Sequence, residues 1–256
     1  MNKTPINLKG LRVLNTRPLE QGKALSMAIA EAGGVCIDLP ALTIEPTPDD
    51  WLEQMPDLLM VKHAIFISTN AVNYYFKLLE TKNISWPDTI QVTAIGCASA
   101  AALTNRGIHV DHIPTIANSE HLLQLDALQD VRDQTLLLIK GEGGRTTLEH
   151  TLHARGACLV SLSIYRRTLP KIATARINSL WHDDKVDIIL FTSQQGIHNI
   201  FTLFGKEAWP WLCSKPCLVI SNRLADEAFA YGLRTIFISS HDTILSTLNT
   251  VSPEPL

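Results

Sequence analysis

The residues best suited to holding an anion fall in short, separated clusters. These are Thr16 with Arg17, Ser68 with Thr69 and Asn70, Gly96 with Ser99, Lys140 with Gly141 and Arg145, Thr192 with Ser193 and Gln194, and Ser221 with Arg223. Nearly all are hydrogen-bond donors, or small residues that leave backbone N–H groups open, which suits a negatively charged ligand. None has the neighbours that would make it a nucleophile. Each hydroxyl also has an ordinary structural use as a helix N-cap, so the case for a binding site rests on their joint position. The stretch from Lys140 to Arg145 contains three glycines and can cradle phosphate or carboxylate through its backbone, or form a tight turn before a helix. It is neither a Walker loop nor a dinucleotide fingerprint.

The elements that position these clusters are short apolar runs near 12–15, 64–68, 91–95, 135–140, 187–192, 217–221 and 235–239, separated by helical patterns such as 20–32, 71–80, 99–106, 146–155 and 223–231. Unbroken apolar strands alternating with helices predict an α/β protein with parallel sheets covered on both faces. In such sheets ligands bind beyond the carboxyl ends of the strands, where all the clusters fall. The pattern also occurs twice. Val13 to Arg17 with its helix matches Leu137 to Gly141 with its own, Ile65 to Asn70 matches Ile189 to Gln194, and Thr93 to Gly96 matches Leu218 to Ser221, at offsets of 124 or 125 positions. A constant offset over three matches indicates duplication.

Two further segments correspond, Asp38 to Pro46 and Ser161 to Pro170; each alternates polar with apolar residues and closes on proline. Read as crossings paired in a two-stranded linker, they predict two parallel-sheet domains interleaved in sequence. One domain would hold residues 1–38 and 171–256 and the other 39–170, with crossings near 39–46 and 161–170 and a ligand cleft between them. A division near 125, with 116–134 as linker, is the competing arrangement. Tyr165 lies in the second crossing, and its phenol can donate a proton or a hydrogen bond near the expected cleft, or simply pack.

The chain has 256 residues, 46% hydrophobic and 18% charged, with a net charge of -3. That describes a globular protein with substantial cores and gives no global case for nucleic acid or an acidic membrane. No run reaches the length of a membrane span, and the polar first ten residues lack a signal peptide's apolar stretch, so a cytoplasmic protein is expected. Of five cysteines without CxxC spacing, Cys36, Cys97 and Cys158 sit in apolar contexts and are expected to be buried thiols; Cys213 and Cys217 match neither a zinc knuckle nor a redox pair. His150 and His153 are spaced for one helix face without a third ligand, so no metal is expected, and His109 and His112 are expected at the surface. Trp181, Trp209 and Trp211 need no role beyond packing.

In order and spacing, several motifs resemble the uroporphyrinogen-III synthase family, particularly its enterobacterial-like branch. They are Leu14 to Pro18, Phe66 to Val72, Ala94 to Leu103, Lys140 to Arg145, Arg155 to Ala157, Ile164 to Arg167, Phe191 to Ser193 and Ser221 to Ala225. The resemblance implies two α/β domains joined by a two-stranded linker, acting as a monomer. It also implies cyclisation of the linear tetrapyrrole hydroxymethylbilane to uroporphyrinogen III, with inversion of ring D through an azafulvene and a spiro intermediate, and no cofactor. The residues implied as substrate-binding are the clusters above, suited to a substrate with eight carboxylates. Tyr165 is implied as the group that assists departure of hydroxide. Ser99 stands where many members carry threonine, and Leu224 where others carry a second one. The competing function is a non-catalytic two-domain sensor that closes on a small anion or a tetrapyrrole.

Overall fold

His63–Phe66 and Ile188–Phe191 are buried at all four positions, as strands covered on both faces must be. They are two of ten strands in a computed structural model that describes residues 6–144 and 146–251. In chain order the elements are β1 (Arg12–Asn15), α1 (Leu19–Glu31), β2 (Val35–Asp38), β3 (Thr43–Pro46), β4 (His63–Phe66), α2 (Thr69–Lys82), β5 (Gln91–Ala94), α3 (Cys97–Thr104) and α4 (Ser119–Leu122). There follow β6 (Thr135–Gly141), α5 (Thr147–Ala154), β7 (Cys158–Thr168), α6 (Thr174–His182), β8 (Ile188–Phe191), α7 (Gln194–Phe204), α8 (Trp209–Ser214), β9 (Cys217–Val219), α9 (Asn222–Ala230), β10 (Ile236–Ile238) and α10 (Ile244–Val251). The chain divides into two compact units, one running up to Thr43 and resuming at Thr168, the other spanning Ile44–Arg167.

The first unit contains a five-stranded sheet in the order β10-β9-β8-β1-β2, all parallel. Alternation sends Leu14, Ile189, Phe191 and Val219 into one apolar cluster, and Val13, Ile188, Leu190 and Leu218 into another on the opposite face. The seam between β1 and β8 joins segments far apart in sequence, and Arg12 fastens it to Asp187, 175 positions away. The Arg12 N–H donates to Asp187 Oδ2 at 2.8 Å and its guanidinium pairs with the same carboxylate, which holds Asp187 below the usual carboxylate range.

In the second unit the sheet order is β3-β7-β6-β4-β5, with β4, β5, β6 and β7 parallel. Phe66, Leu137, Ile139, Leu162 and Tyr165 pack on one face, and Ile65, Leu136 and Leu138 on the other. The orders β5-β4-β6-β7 and β9-β8-β1-β2 are the same arrangement, and each five-stranded sheet joins three strands of one repeat to two of the other. Domains of parallel sheet are thus interleaved along the chain. β3 and β7 pair where the chain passes from one unit to the other.

Several expectations are corrected. The strands read from sequence omit β2, which forms the sheet edge, so that Val35 is exposed and its other three residues only half-buried. Residues 116–134 are no linker: Leu122, Leu123, Leu128 and Val131 are buried in the second unit. Cys97 and Cys158 are exposed and Cys36 half-buried, whereas Cys217 is fully buried, with its thiol pushed up to about 12 by desolvation. Cys97 opens α3, whose inward positions are Ser99, Ala100 and Leu103, and Cys158 opens β7, ahead of its buried middle. His150, His153 and His109 are exposed, but His112 is half-buried and stacks on His63 at 5.7 Å.

His63 begins β4, fully buried, with its Nε2 2.6 Å from Thr93 Oγ1. Desolvation first, then the nearby His112 and Lys62, lower its pKa to about 4, with Asp111 opposing. The unfolded chain therefore binds more protons here between about pH 4 and 6.5. The neutral ring's contribution is complete above about 6.5 and is lost as pH falls toward about 4, by up to about 3 kcal/mol. Denaturant unfolding across that window should show His63→Gln less acid-sensitive than wild type. Equal pH slopes would contradict this origin, as would an imidazole resonance titrating near the ordinary histidine value.

Candidate active site

Each unit carries its sequence-derived site residues at the carboxyl ends of its strands, where strand gives way to helix. Three such junctions have one geometry. Ser68, Ser193 and Ser221 sit in extended backbone and accept hydrogen bonds from the N–H groups of Ala71 (3.0 Å), Gly196 (3.0 Å) and Leu224 (3.3 Å), capping α2, α7 and α9. Ser68 and Ser193 are 125 positions apart, as are Gly96 and Ser221, the residues preceding α3 and α9. The caps align at one offset, so Ser68 corresponds to Ser193 and not to Thr192. The first N–H groups of each helix have no partner within the helix and face outward with the partial positive charge of its end.

The rim of the second unit centres on Tyr165. Its ring is 4% exposed, stacks on Tyr74 at 6.1 Å and brings its hydroxyl to 3.0 Å from Ser68 Oγ. The ring lies across Gly141, where an added Cβ would meet the Tyr165 Cζ at 2.5 Å, so only glycine fits. Tyr74 is itself fixed, its hydroxyl donating to the Ile44 carbonyl at 2.8 Å. Thr69 and Asn70 are half-buried in the first turn of α2. Gly143 and Gly144 adopt φ of 73° and 88°, a left-handed pair that other residues rarely form, with open space around both. Arg145 lies outside the described residues. Gly96 is covered by Ala117, Ser99 is buried, and Lys140 is turned inward to pair with Glu149.

The rim of the first unit contains Thr16, Arg17, Thr192, Ser193, Gln194, Ser221 and Arg223. Thr16 is buried, donating to the Leu190 carbonyl at 2.6 Å and so tying β1 to β8. Gln194 joins two helices: it donates to Glu227 Oε2 at 2.8 Å and accepts from Arg223 at 3.1 Å. Thr192 is half-buried, and Ser193 and Ser221 are exposed. Arg17 is the exception in this well-paired set. Its Nε is buried without a hydrogen-bond partner, and no carboxylate pairs with its guanidinium among the described residues. A buried, unpaired donor on a charged group is costly unless a ligand completes it.

Three participants escaped the sequence reading. Tyr74 lies six positions after a capping serine on an otherwise ordinary helix, and Glu227 shows its role only once α7 and α9 are neighbours. Glu149 meets Lys140 only once α5 packs beside β6. No group of three or more His, Cys, Asp or Glu residues that could hold a metal occurs among the described residues, nor does a helix long and apolar enough to cross a membrane.

Residues 23–249 match the family model described as uroporphyrinogen-III synthase HemD. The chain belongs to the uroporphyrinogen-III synthase family. The uroporphyrinogen-III synthase of Salmonella typhimurium is 29% identical over 250 residues, covering 93% of this chain and all of that protein. A mutant uroporphyrinogen III synthase from the extremely thermophilic bacterium Thermus thermophilus shares the fold at a TM-score of 0.62 and 19% identity, over 94% of this chain and 97% of that one. The Helicobacter pylori uroporphyrinogen-III synthetase gives 0.61 at 17% identity, over 94% and 98%.

The contact of Tyr165 with Gly141 gives a direct test. Gly141→Ala should displace the ring, break the hydrogen bond to Ser68 and cost about 1–3 kcal/mol, as overpacking does. Thermal unfolding measures the cost, and a shifted Tyr165 Cζ resonance reports the displacement. An unshifted resonance with unchanged stability would show that the ring does not need the glycine.

Proposed function

We propose that this protein converts hydroxymethylbilane to uroporphyrinogen III, as a cofactor-independent cyclising lyase of tetrapyrrole biosynthesis. The observation that carries the reading is the family match over residues 23–249, which spans every rim residue except Thr16 and Arg17. The chemistry of the rims supports it. A substrate with eight carboxylates calls for many modest donors, and capped helix ends, hydroxyls, amides and arginines supply them. Thr69, Asn70, Gln194, Arg223 and Arg17, with the helix ends behind Ser68, Ser193 and Ser221, are the groups assigned to those carboxylates. Thr16, Ser99 and Lys140, being buried, support their neighbours.

Tyr165 is assigned the proton. As the C–O bond of the hydroxymethyl group breaks, the phenol donates to the departing oxygen, which leaves as water, and the pyrrole nitrogen's electrons form the protonated azafulvene; the proton released when the last pyrrole regains aromaticity after reclosure returns to the phenolate. The substituted carbon of ring D then attacks, and fragmentation and reclosure invert that ring. Ser68, hydrogen-bonded to the phenol, keeps its proton aimed. The rest of the work is orientation, since the reactive chain closes productively only when folded with ring D correctly placed. Five free thiols fit a reducing compartment, so the reading puts the enzyme in the cytoplasm, working as a monomer. A sensor that binds tetrapyrrole without turnover is the disfavoured alternative.

Incubation with freshly generated hydroxymethylbilane should give mainly the type III isomer; the type I product alone would sink the proposal. Tyr165→Phe should lower kcat at least about tenfold with little change in KM, the scale of one general acid. Equal rates would reduce Tyr165 to packing. Arg17→Met should raise KM about tenfold, as expected for a lost charge-assisted hydrogen bond, while leaving thermal stability unchanged or higher because a buried unpaired donor is removed. A large loss of stability with unchanged KM would reverse that assignment.

A further inference from the structure

Lys140 and Glu149 form an ion pair whose side chains are only 10% and 15% exposed. Glu149 Oε2 is also buried and finds no hydrogen-bond partner among the described residues. A buried pair satisfied on one side only is a poor source of stability, because desolvation of both charges offsets their attraction. The pair's position suggests another use. Lys140 ends the straight part of β6, and Glu149 lies in the first turn of α5, so the pair ties together the two ends of the glycine loop.

At this point the sheet loses its register. Lys140 pairs with Ser163 but Gly141 pairs with Tyr165, so β7 has one residue more than β6 across the step. The Glu142 N–H then donates to the Tyr165 carbonyl at 2.7 Å. Alternation along β6 sends Leu136 and Leu138 to one face, toward Leu148 and Leu152 of α5, and Leu137 and Ile139 to the face that holds Tyr165. Lys140 follows the first set, toward Glu149, and Gly141 the second, against the Tyr165 ring. Lys140 can therefore reach Tyr165 only through the backbone.

We propose that the Lys140–Glu149 ion pair is a positioning device: it anchors the bulge at Gly141 and thereby sets the aim of the Tyr165 phenol. Lys140 is a positioning residue, and its ammonium is spent on Glu149 and not on substrate. The inference rests on the role of Tyr165 given above.

The test replaces both charges, since removing one would leave the other buried and alone. Lys140→Met with Glu149→Met should keep or raise the thermal midpoint, because apolar replacement of a buried pair is neutral or stabilising. The same double variant should lower kcat about tenfold to a hundredfold, the cost of a small misplacement, with KM within about twofold. In protein labelled with 13C-tyrosine, the Tyr165 Cζ resonance, assigned by its absence in Tyr165→Phe, should shift. In the Tyr165→Phe background the double replacement should cost nothing further in kcat. Wild-type kcat with an unshifted resonance overturns the proposal, and so does an undiminished loss in the Tyr165→Phe background. If instead Tyr165→Phe alone keeps the wild-type rate, the proton role of Tyr165 has failed, and the resonance shift still decides whether the pair positions the ring.

Discussion

Parallel pairing between strands of different repeats is the constraint on which the structure depends. β1 lies against β8, and β4 against β6, so neither sheet can be completed from one half of the sequence. Parallel strands need a crossover, and the helices that supply it here cover both faces and leave the carboxyl ends of β1, β2, β8, β9 and β10 on one side of their sheet and those of β4 to β7 on one side of theirs. The donor rims follow directly. Thr16 shows how closely seam and site are joined: its hydroxyl fastens β1 to β8, and its neighbour Arg17, at the end of the same strand, has a buried Nε with no partner among the described residues.

Both rims reuse one local solution, a serine in extended backbone that caps a helix just after a strand. The repetition gives binding surface cheaply in sequence terms, but it gives no chemistry, because a capping hydroxyl is already committed to the helix. Chemistry enters where the repeats differ. Gly141 and Tyr165 make their close contact at a bulge, and at the corresponding place in the other sheet, past the Arg12–Asn15 ladder, the 124-residue offset puts Arg17 and Ala41. The asymmetry between two otherwise similar sheets is where a reactive group can be held without serving as a scaffold.

Much of the fold was legible. Apolar runs such as Ile188 to Phe191 have no solvent face, which leaves parallel, doubly covered strands as the reading, and the constant offset exposed the repeat. Edge strand β2 was missed because none of its residues is buried and it carries no such run. Individual burial was less legible: Cys97 and Ser99 lie two positions apart in one apolar stretch, yet the helix turns the cysteine out and the serine in. The rim residues were found as a set because strand ends can be read from local pattern. Their partners were not, since Glu149, Glu227 and Tyr74 are brought to them by neighbouring helices, and His112 meets His63 only because the chain after α3 returns alongside β5.

The interleaving has a consequence for synthesis. The unit from Ile44 to Arg167 is continuous and can fold as soon as it emerges from the ribosome. The first strand, helix and second strand must wait for β8, roughly 150 residues later, which at about 5–20 residues per second is on the order of ten seconds or more. During that interval β1 exposes Val13 and Leu14 and an unpaired strand edge to the crowded cell. The segment made before the central unit is thus the last to be sheltered, and a truncated or stalled polypeptide would carry one finished unit and an orphaned strand–helix–strand segment.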